Sequence, residues 1–153
     1  MTIKKFSTTH RVYWRDCDSA GIVYFARFFD FFEMAEEELF ASLGRPRGDF
    51  LYTLQLGFPR AEAWARFLRP IRLGDRVEVT TWIGKRTRTA LVFHFELRRE
   101  GESELAAEGH YRIVCVRRDT FKPIPWPPEV LGLLRDYLPP LTKHTPVSKS
   151  SGG

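Results

Sequence analysis

The chain has 153 residues, of which 43% are hydrophobic and 14% aromatic, a length that supports one hydrophobic core and is too short for two ordinary domains. No apolar run reaches the roughly 18 residues that would cross a bilayer, and the basic N-terminus is followed by polar residues instead of the apolar stretch of a secretory signal. Lys and Arg outnumber Asp and Glu by 24 to 19, for a formal net charge of +5, which suits an anionic partner without identifying one.

The cysteine content indicates a reducing compartment. Only Cys17 and Cys115 occur, and two cysteines do not make the disulfide framework of a small secreted domain. We therefore expect free thiols and a cytoplasmic protein.

The N-terminal third predicts one strand, one turn and one long helix. Residues 9–14 mix β-branched and aromatic side chains, as strands do, and residues 15–21 have the composition of a turn. An ordered segment from Ile22 leads into a helix that runs to about Leu43, with Gly44 as its stop. Apolar residues along this helix recur at spacings of four, three and four, so it has a buried stripe made of Phe28, Phe32, Ala35 and Leu39.

The rest of the chain is dominated by strand patterns. Predicted strands cover residues 60–68, 76–83, 90–98 and 103–116, separated by turns that contain glycine or charged residues. Alternation is clearest in the third, where one face has Leu91, Phe93, Phe95 and Leu97 and the other has Val92, His94, Glu96 and Arg98. After a proline-rich stretch, residues 129–137 predict a short helix. We assign residues 1–138 to a single domain and residues 139–153, rich in Pro, Lys, Ser and Gly, to a flexible C-terminal tail.

This order of elements predicts an α+β fold in which an antiparallel sheet wraps around the long helix. A single helix covers only one face of the sheet. Because the chain is rich in aromatic residues, we expect another copy to bury the second face, which predicts a homodimer or homotetramer.

Residues 12–31, VYWRDCDSAGIVYFARFFDF, resemble the motif of the 4-hydroxybenzoyl-CoA thioesterase family of the hotdog-fold superfamily. The resemblance implies a five-stranded antiparallel sheet around a central helix, and a protein that hydrolyses acyl-CoA to a free acid and CoA without a metal. It places the catalytic carboxylate at Asp18 and the oxyanion donor at the backbone N–H of Phe25. Subgroups of the family have His or Tyr where this chain has Phe25, so only the backbone role carries over.

The chemistry of this segment agrees with attack on a thioester. A carboxylate just before a helix faces unpaired N–H groups that keep it ionised, so Asp18 is a candidate base or nucleophile. The same donors can polarise a carbonyl, and Gly21 lets a substrate approach the backbone because it has no side chain. The alternative for Asp18 is a simple N-cap.

Nearby acids and a thiol compete for the same role. We expect Asp16 to order the turn and Cys17 to be a packing residue, because no His lies close to it in the sequence. A sister subgroup uses a helix Glu in place of the loop Asp. Of the helix carboxylates we keep only Glu33, as a supporting group beside the site, and expect Glu36 and its neighbours to be solvated.

A basic turn is the candidate binding site for the nucleotide phosphates of CoA. Residues 85–89 include Lys85, Arg86 and Arg88 and correspond in place to the basic turn of the family, and guanidinium groups suit phosphate oxygens. Lys122 is a further candidate, and a solubility role for the turn is the alternative. The histidines have no ligand spacing, so we expect no metal and no cofactor beyond the CoA of the substrate.

The leading hypothesis is hydrolysis of an aromatic or medium-sized acyl-CoA, with Asp18 acting either as nucleophile or as general base. One alternative is a hotdog dehydratase, which normally needs a His-bearing motif absent here. Another is a module that binds an acyl-thioester or a protein without turnover. Nucleic-acid binding has only the positive charge in its favour, since the basic residues are dispersed.

Overall fold

The computed structural model describes residues 2–142. Its long helix is α1 (Arg27–Ser42), and its short helices are α2 (Asp49–Thr53) and α3 (Pro128–Leu134). The strands are β1 (Phe6–Arg11), β2 (Leu56–Gly57), β3 (Arg60–Phe67), β4 (Arg76–Arg86), β5 (Ala90–Arg99), β6 (Leu105–Val114) and β7 (Val116–Arg117). Short 3-10 turns lie at Trp14–Asp16 and Arg135–Tyr137.

Five strands form one antiparallel sheet in the order β1-β4-β5-β6-β3, and β2 pairs with β7 in a separate ribbon. The alternation predicted for β5 is confirmed. Leu91, Phe93, Phe95 and Leu97 are buried on the face that α1 covers, whereas the residues between them are only half-buried. The core therefore lies between α1 and the inner face of the sheet, as the predicted layout requires.

Helix α1 buries the predicted stripe. Phe28, Phe32, Ala35 and Leu39 are all buried, and the ring of Phe32 stacks on that of Phe95 with centroids 4.9 Å apart. A side chain at position 109 would prevent this approach, because a Cβ on Gly109 would lie 2.7 Å from the Phe32 ring. The absence of a side chain on β6 thus lets the helix pack close to the sheet.

Helix α1 ends where the sequence predicts, but it begins several residues after the ordered segment that starts at Ile22. Gly44 has a φ of +89° and ends the helix in the left-handed conformation that glycine adopts easily. The start is at Arg27, because residues 22–25 form bridges to Cys17 and Arg72 and a turn instead of a first helical turn.

The strand boundaries also move. β1 begins and ends three residues earlier than predicted, since Trp14–Asp16 forms a 3-10 turn. β4 continues to Arg86 through a β-bulge between Ile83 and Lys85, so Lys85 and Arg86 belong to a strand and the turn is shorter than the predicted residues 85–89. The predicted fourth strand divides into β6 and β7 at Cys115.

The C-terminal region packs on the same core. The predicted helix is α3 followed by a 3-10 turn, and Val130 and Leu134 are buried. The first residues of the predicted tail are bound to the sheet, since the backbone N–H of Thr142 donates to the Arg86 carbonyl at 2.7 Å. The remainder of the tail, residues 143–153, lies outside the described residues. Among residues 2–142, no helix is long and apolar enough to cross a membrane.

Candidate active site

The loop between β1 and α1 is closed by its own backbone. The N–H of Asp18 donates to the Ile22 carbonyl at 2.9 Å, and the N–H of Gly21 donates to the Asp18 carbonyl at 3.0 Å. Gly21 has a φ of +77°, a conformation that glycine adopts without strain. The backbone conformation therefore favours glycine at this position, and the close substrate approach expected from the sequence stays a prediction.

Asp16 holds the loop together, as predicted. Its carboxylate is buried and accepts a hydrogen bond from the Tyr13 N–H at 2.8 Å. Its carbonyl accepts from the Tyr24 N–H at 2.9 Å. Asp16 thus joins the loop to the segment that leads into α1.

Asp18 has an exposed side chain with one local contact. Its Oδ1 accepts a hydrogen bond from the Ala20 N–H at 2.8 Å, and its Oδ2 has no protein partner within the described part of the chain. It does not cap α1, whose N-cap position is Ala26 without a side-chain cap. The simple N-cap alternative is therefore wrong.

An apolar cavity of about 420 Å³ brings Asp18 together with the start of α1. Asp18 and Phe25 both line it, although they are seven positions apart in the sequence. Four of its eleven lining residues are aromatic, and the Phe67 ring packs against Phe28 at 5.1 Å and Phe25 at 6.3 Å between centroids. The cavity can accommodate an apolar group with a reactive centre beside the Asp18 carboxylate.

A second cavity of about 330 Å³ is also lined by Asp18. It is lined by Asp18 and Gly21 together with Trp14, Cys17, Ser19 and Leu73. Asp18 is the side chain that the two cavities share. A ligand that extended from one cavity into the other would pass Asp18.

The backbone N–H of Phe25 is available for a ligand. It lies in the turn before α1, where the neighbouring Arg27 N–H donates to the Tyr24 carbonyl at 2.8 Å. Within residues 2–142 the Phe25 N–H donates no hydrogen bond. The N-terminal end of α1 also carries partial positive charge, so this donor suits a developing oxyanion.

The two thiols are not activated. Burial raises the pKa of Cys17, and the charges of Asp16 and Asp18 raise it further. Burial raises the pKa of Cys115 to about 11. Thiolates are the reactive form, so both cysteines are poor nucleophiles at neutral pH, in agreement with a packing role for Cys17.

The basic turn lies far from Asp18 in the same chain. Leu73, just before β4, donates its N–H to the Gly21 carbonyl, so β4 begins beside the Asp18 loop. Arg86 is ten residues further along that strand, which is about 30 Å away at the usual rise per residue. Lys122 is at the far end too, because the segment after it reaches the Arg88 carbonyl through the Trp126 N–H. One chain does not bring the predicted phosphate-binding residues to the predicted catalytic residue.

One helix carboxylate was predicted wrongly. Glu36 is 1% exposed, and its Oε2 accepts hydrogen bonds from Arg60 and from the Tyr111 hydroxyl, both at 2.5 Å. Arg47 lies 3.0 Å from the same oxygen. Burial and the Glu36 charge raise the pKa of Tyr111 well above its usual value, so the phenol stays protonated as a donor. The sequence did contain a signal for the burial of Glu36. It follows Ala35 and lies one helical turn after Phe32, next to the buried stripe of α1.

Glu33 is placed beside Arg47 and not beside Asp18. Its carboxylate accepts a hydrogen bond from Arg47 at 2.9 Å and is 45% exposed. It does not line either of the cavities next to Asp18. The structure therefore gives it a position next to the buried Glu36 cluster.

The fold and the loop carboxylate define a class of protein, the hotdog proteins that handle thioesters. The sequence model of the thioesterase-like superfamily matches residues 12–134, and the chain belongs to this superfamily. The resemblance and the hotdog fold expected from the sequence are thereby confirmed.

Individual relatives agree with this assignment. The chain is 29% identical over 125 residues to the acyl-CoA thioesterase YbgC of Haemophilus influenzae, covering 82% of this chain and 90% of that protein. It is 42% identical over 69 residues to a 1,4-dihydroxy-2-naphthoyl-CoA hydrolase of Thermosynechococcus vestitus, covering 45% and 47%. A 1,4-dihydroxy-2-naphthoyl-CoA thioesterase structure from Synechocystis superposes with a TM-score of 0.81 at 24% identity, covering 87% and 97%, which supports the fold.

Proposed function

We propose that this chain is an acyl-CoA thioesterase and that Asp18 is its catalytic carboxylate. The observation that carries the proposal is the position of Asp18, an exposed carboxylate shared by two cavities and next to the start of α1. A thioester has an acyl group on one side of its reactive carbon and the thiol arm of CoA on the other. Two cavities that meet at one carboxylate fit that shape.

The chemistry can follow either of two routes. In the first, an Asp18 oxygen attacks the thioester carbon, the C–S bond breaks, and CoA thiolate leaves and takes a proton from water. Water then hydrolyses the resulting mixed anhydride and restores the carboxylate. In the second, Asp18 takes a proton from a water molecule that attacks the thioester directly. In both, the Phe25 N–H stabilises the negative charge on the carbonyl oxygen.

The acyl group is aromatic or of medium size in this proposal. The walls of the larger cavity support it, because Phe25, Phe28 and Phe67 present rings to the bound group. Relatives named for a naphthoyl-CoA substrate also support it. The reaction needs no metal and no cofactor other than the CoA of the substrate, in keeping with the carboxylate and backbone donor already present.

The active site needs a second copy of the chain in this proposal. β3 is an edge strand whose residues are mostly exposed, and edge strands pair readily with another chain. Phe67 at one end of β3 lines the cavity. Arg60 at the other end lies in register with Ile113, Leu91 and Arg86 across the sheet.

Antiparallel pairing of two β3 strands would put each basic turn near the other chain's cavity. A twofold axis sets the Arg60 end of one β3 beside the Phe67 end of the other. In such a dimer, the basic turn with Lys85, Arg86 and Arg88 lies three strands, or about 14 Å, from the β3 strands that join the two chains. We therefore assign the phosphates of CoA to the basic turn of the partner chain, with Lys122 as a further contact.

The proposed compartment is the cytoplasm, supported by two cysteines that are both free thiols.

The thioesterase activity can be tested directly. Purified protein is assayed for thiol release from aromatic and aliphatic acyl-CoAs, and turnover of at least one aromatic substrate is expected. Binding without turnover across the panel would favour the binding module, and dehydration of a hydroxyacyl thioester, or hydration of the corresponding enoyl thioester, would favour the dehydratase.

A further inference from the structure

A cavity of about 710 Å³ lies between β1 and the first turns of α1, and four arginines line it. Arg11 and Arg76 come from neighbouring strands. Arg15 comes from the loop that carries Asp18, and Arg27 is the first residue of α1. We call this space the arginine cavity. Small-molecule pockets have volumes of about 300–1,000 Å³, so the arginine cavity is large enough for a ligand.

Two of the four arginines have no acidic partner. Neither Arg11 nor Arg15 forms an ion pair with another residue between 2 and 142, and both are exposed. Arg11 also lies directly opposite Arg76 in the register of β1 and β4. Like charges at such positions destabilise a sheet, and Glu100, which pairs with Arg76 at 2.7 Å, compensates only one of the two. An anion bound between these guanidinium groups would remove the repulsion.

The lining of the arginine cavity has an excess of positive charge. Its four arginines are opposed by two carboxylates, those of Asp16 and Asp30, which leaves a net charge of +2. His10 also lines the cavity, but burial lowers its pKa, although Glu38 opposes this and Arg76 adds to it, so the imidazole is neutral at neutral pH. A phosphate monoester carries a charge of about −1.5 to −2 at pH 7, which matches this excess better than a single carboxylate does.

The arginine cavity also has an apolar wall. Phe31 and Met34 line it from α1, and Phe31 is buried whereas Met34 is half-buried. Guanidinium groups bind phosphate oxygens through paired hydrogen bonds, and the apolar wall can contact the rest of an organic molecule. The lining therefore suits a phosphate ester with an apolar or aromatic body.

The arginine cavity is distinct from the two cavities at Asp18, because it shares no lining residue with either. The same loop borders both regions. Tyr13 and Arg15 line the arginine cavity, whereas Trp14 and Cys17 line the second cavity at Asp18. β1 and β3 are opposite edges of the sheet, so a partner chain joined through β3 does not bring its basic turn to the arginine cavity.

We infer that the arginine cavity binds the phosphate group of a small organic molecule, at a site separate from that of acyl-CoA. The phosphate lies among Arg11, Arg15 and Arg76, and the body of the ligand lies against Phe31. This site goes beyond the proposed function and does not depend on catalysis.

Isothermal titration calorimetry with phenyl phosphate tests the inference. Wild-type protein should bind phenyl phosphate more tightly than inorganic phosphate, because the ring buries apolar surface on Phe31. Phenol, which lacks the anion, should not displace it. Inorganic phosphate that bound as tightly as the ester would contradict an organic ligand, and no binding of either would overturn the whole inference.

Substitutions show where the probe binds. Arg11→Ala with Arg15→Ala should weaken phenyl phosphate binding at least about 10-fold, the lower end for the loss of a charged hydrogen bond. Arg15→Gln alone changes one exposed loop residue and should weaken binding in the same direction, so it serves if the double variant does not fold. The matched control is Arg86→Ala with Arg88→Ala, which removes two positive charges from the basic turn and should leave the affinity unchanged. Wild-type affinity in both variants of the arginine cavity would overturn the inference.

A kinetic measurement separates the arginine cavity from the substrate site. Arg11→Ala with Arg15→Ala should keep the wild-type KM for acyl-CoA. A raised KM would show that these arginines bind the substrate, and the site would not be a separate one. Calorimetry needs no turnover, so the absence of thioesterase activity would leave the binding test intact.

Discussion

Asp16 and Asp18 lie two residues apart in one loop, yet their carboxylates have different surroundings. Asp16 is 8% exposed and accepts a backbone hydrogen bond, whereas Asp18 is exposed and lines two cavities. The Asp16 carboxylate stabilises the loop through its hydrogen bond, whereas the Asp18 carboxylate is accessible to a ligand. Substitutions at the two positions should therefore have opposite effects on activity and stability.

Asp18→Asn should abolish most of the activity and leave the fold intact. The amide keeps the size of the side chain but can neither attack a thioester nor take a proton from water. We expect kcat to fall by at least about 100-fold, the lower end of the contribution of a positioned base, with KM little changed. Steady-state kinetics with the best acyl-CoA and an unfolding curve check both statements. Wild-type kcat in this variant would remove Asp18 from the mechanism.

Asp16→Ala should destabilise the protein. It leaves the Tyr13 N–H without its partner in a part-buried position, at a cost of about 1–3 kcal/mol in the free energy of unfolding. Urea unfolding of this variant next to Asp18→Asn makes the comparison. Equal stability of the two variants would contradict the structural role of Asp16.

Isotope labelling separates the two routes that the site allows. A single turnover in ¹⁸O water is followed by mass analysis of the protein and of the product acid. If water attacks a mixed anhydride at the enzyme's own carbonyl, label appears in Asp18. Direct attack by water, or attack at the acyl carbonyl of the anhydride, labels only the product. Protein label therefore identifies Asp18 as the nucleophile.

The contribution of a partner chain to CoA binding can be tested with mixed oligomers. Arg86→Ala with Arg88→Ala should raise KM for acyl-CoA far more than it lowers kcat, because phosphate contacts are alike in the ground and transition states. Co-expression of this variant with Asp18→Asn yields dimers in which one site has both Asp18 and the arginines. Such dimers should recover roughly half of wild-type kcat/KM, since one of two sites is intact.

The control for that experiment is Arg118→Ala with Arg135→Ala, which removes two exposed arginines outside the turn and should leave KM unchanged. If one chain supplied both Asp18 and the arginines, each site of a mixed dimer would lack one of the two. Mixed oligomers would then be no more active than their parents.

The elements and the site loop were largely predictable from the sequence, and the long-range contacts were not. The periodicity of β5 and α1 is local, so it predicted which residues are buried. The bulge between Ile83 and Lys85 contains Gly84. Because a glycine fits the end of a strand as well as a bulge within it, the sequence did not show that β4 extends into the expected turn. The helical position of Glu36 was a local signal of its burial, but its partners Arg60 and Tyr111 lie 24 and 75 residues away, and no local pattern identifies them.

Glu36→Gln should be among the most destabilising single substitutions that preserve side-chain size. It removes the negative charge that compensates Arg60 and Arg47 in a buried position. Breaking a buried ion pair on one side costs about 3–5 kcal/mol. Glu37→Gln is the matched control, because Glu37 pairs with the same Arg47 but is 55% exposed, where ion pairs contribute about 1 kcal/mol or less. Similar losses in the two variants would contradict a special role for the buried carboxylate.

Stability should decrease on mild acidification, because two histidines have lowered pKa values. Burial lowers the pKa of His94, and the neighbouring His110 lowers it further. Burial also lowers the pKa of His10, with Glu38 opposing and Arg76 adding to the effect. A histidine that is harder to protonate in the folded state binds more protons when unfolded. The free energy of unfolding therefore falls as the pH drops through the usual histidine pKa of about 6.5.

Guanidinium unfolding at pH 7.5 and 5.5, at one protein concentration, measures this loss for wild type and for His94→Gln. The glutamine cannot take up a proton, so the variant should lose less stability than wild type over this interval, while His10 still contributes the remainder. The difference between the two losses measures the contribution of the His94 imidazole. An equal stability loss in wild type and His94→Gln would show that the imidazole of His94 is not the group responsible.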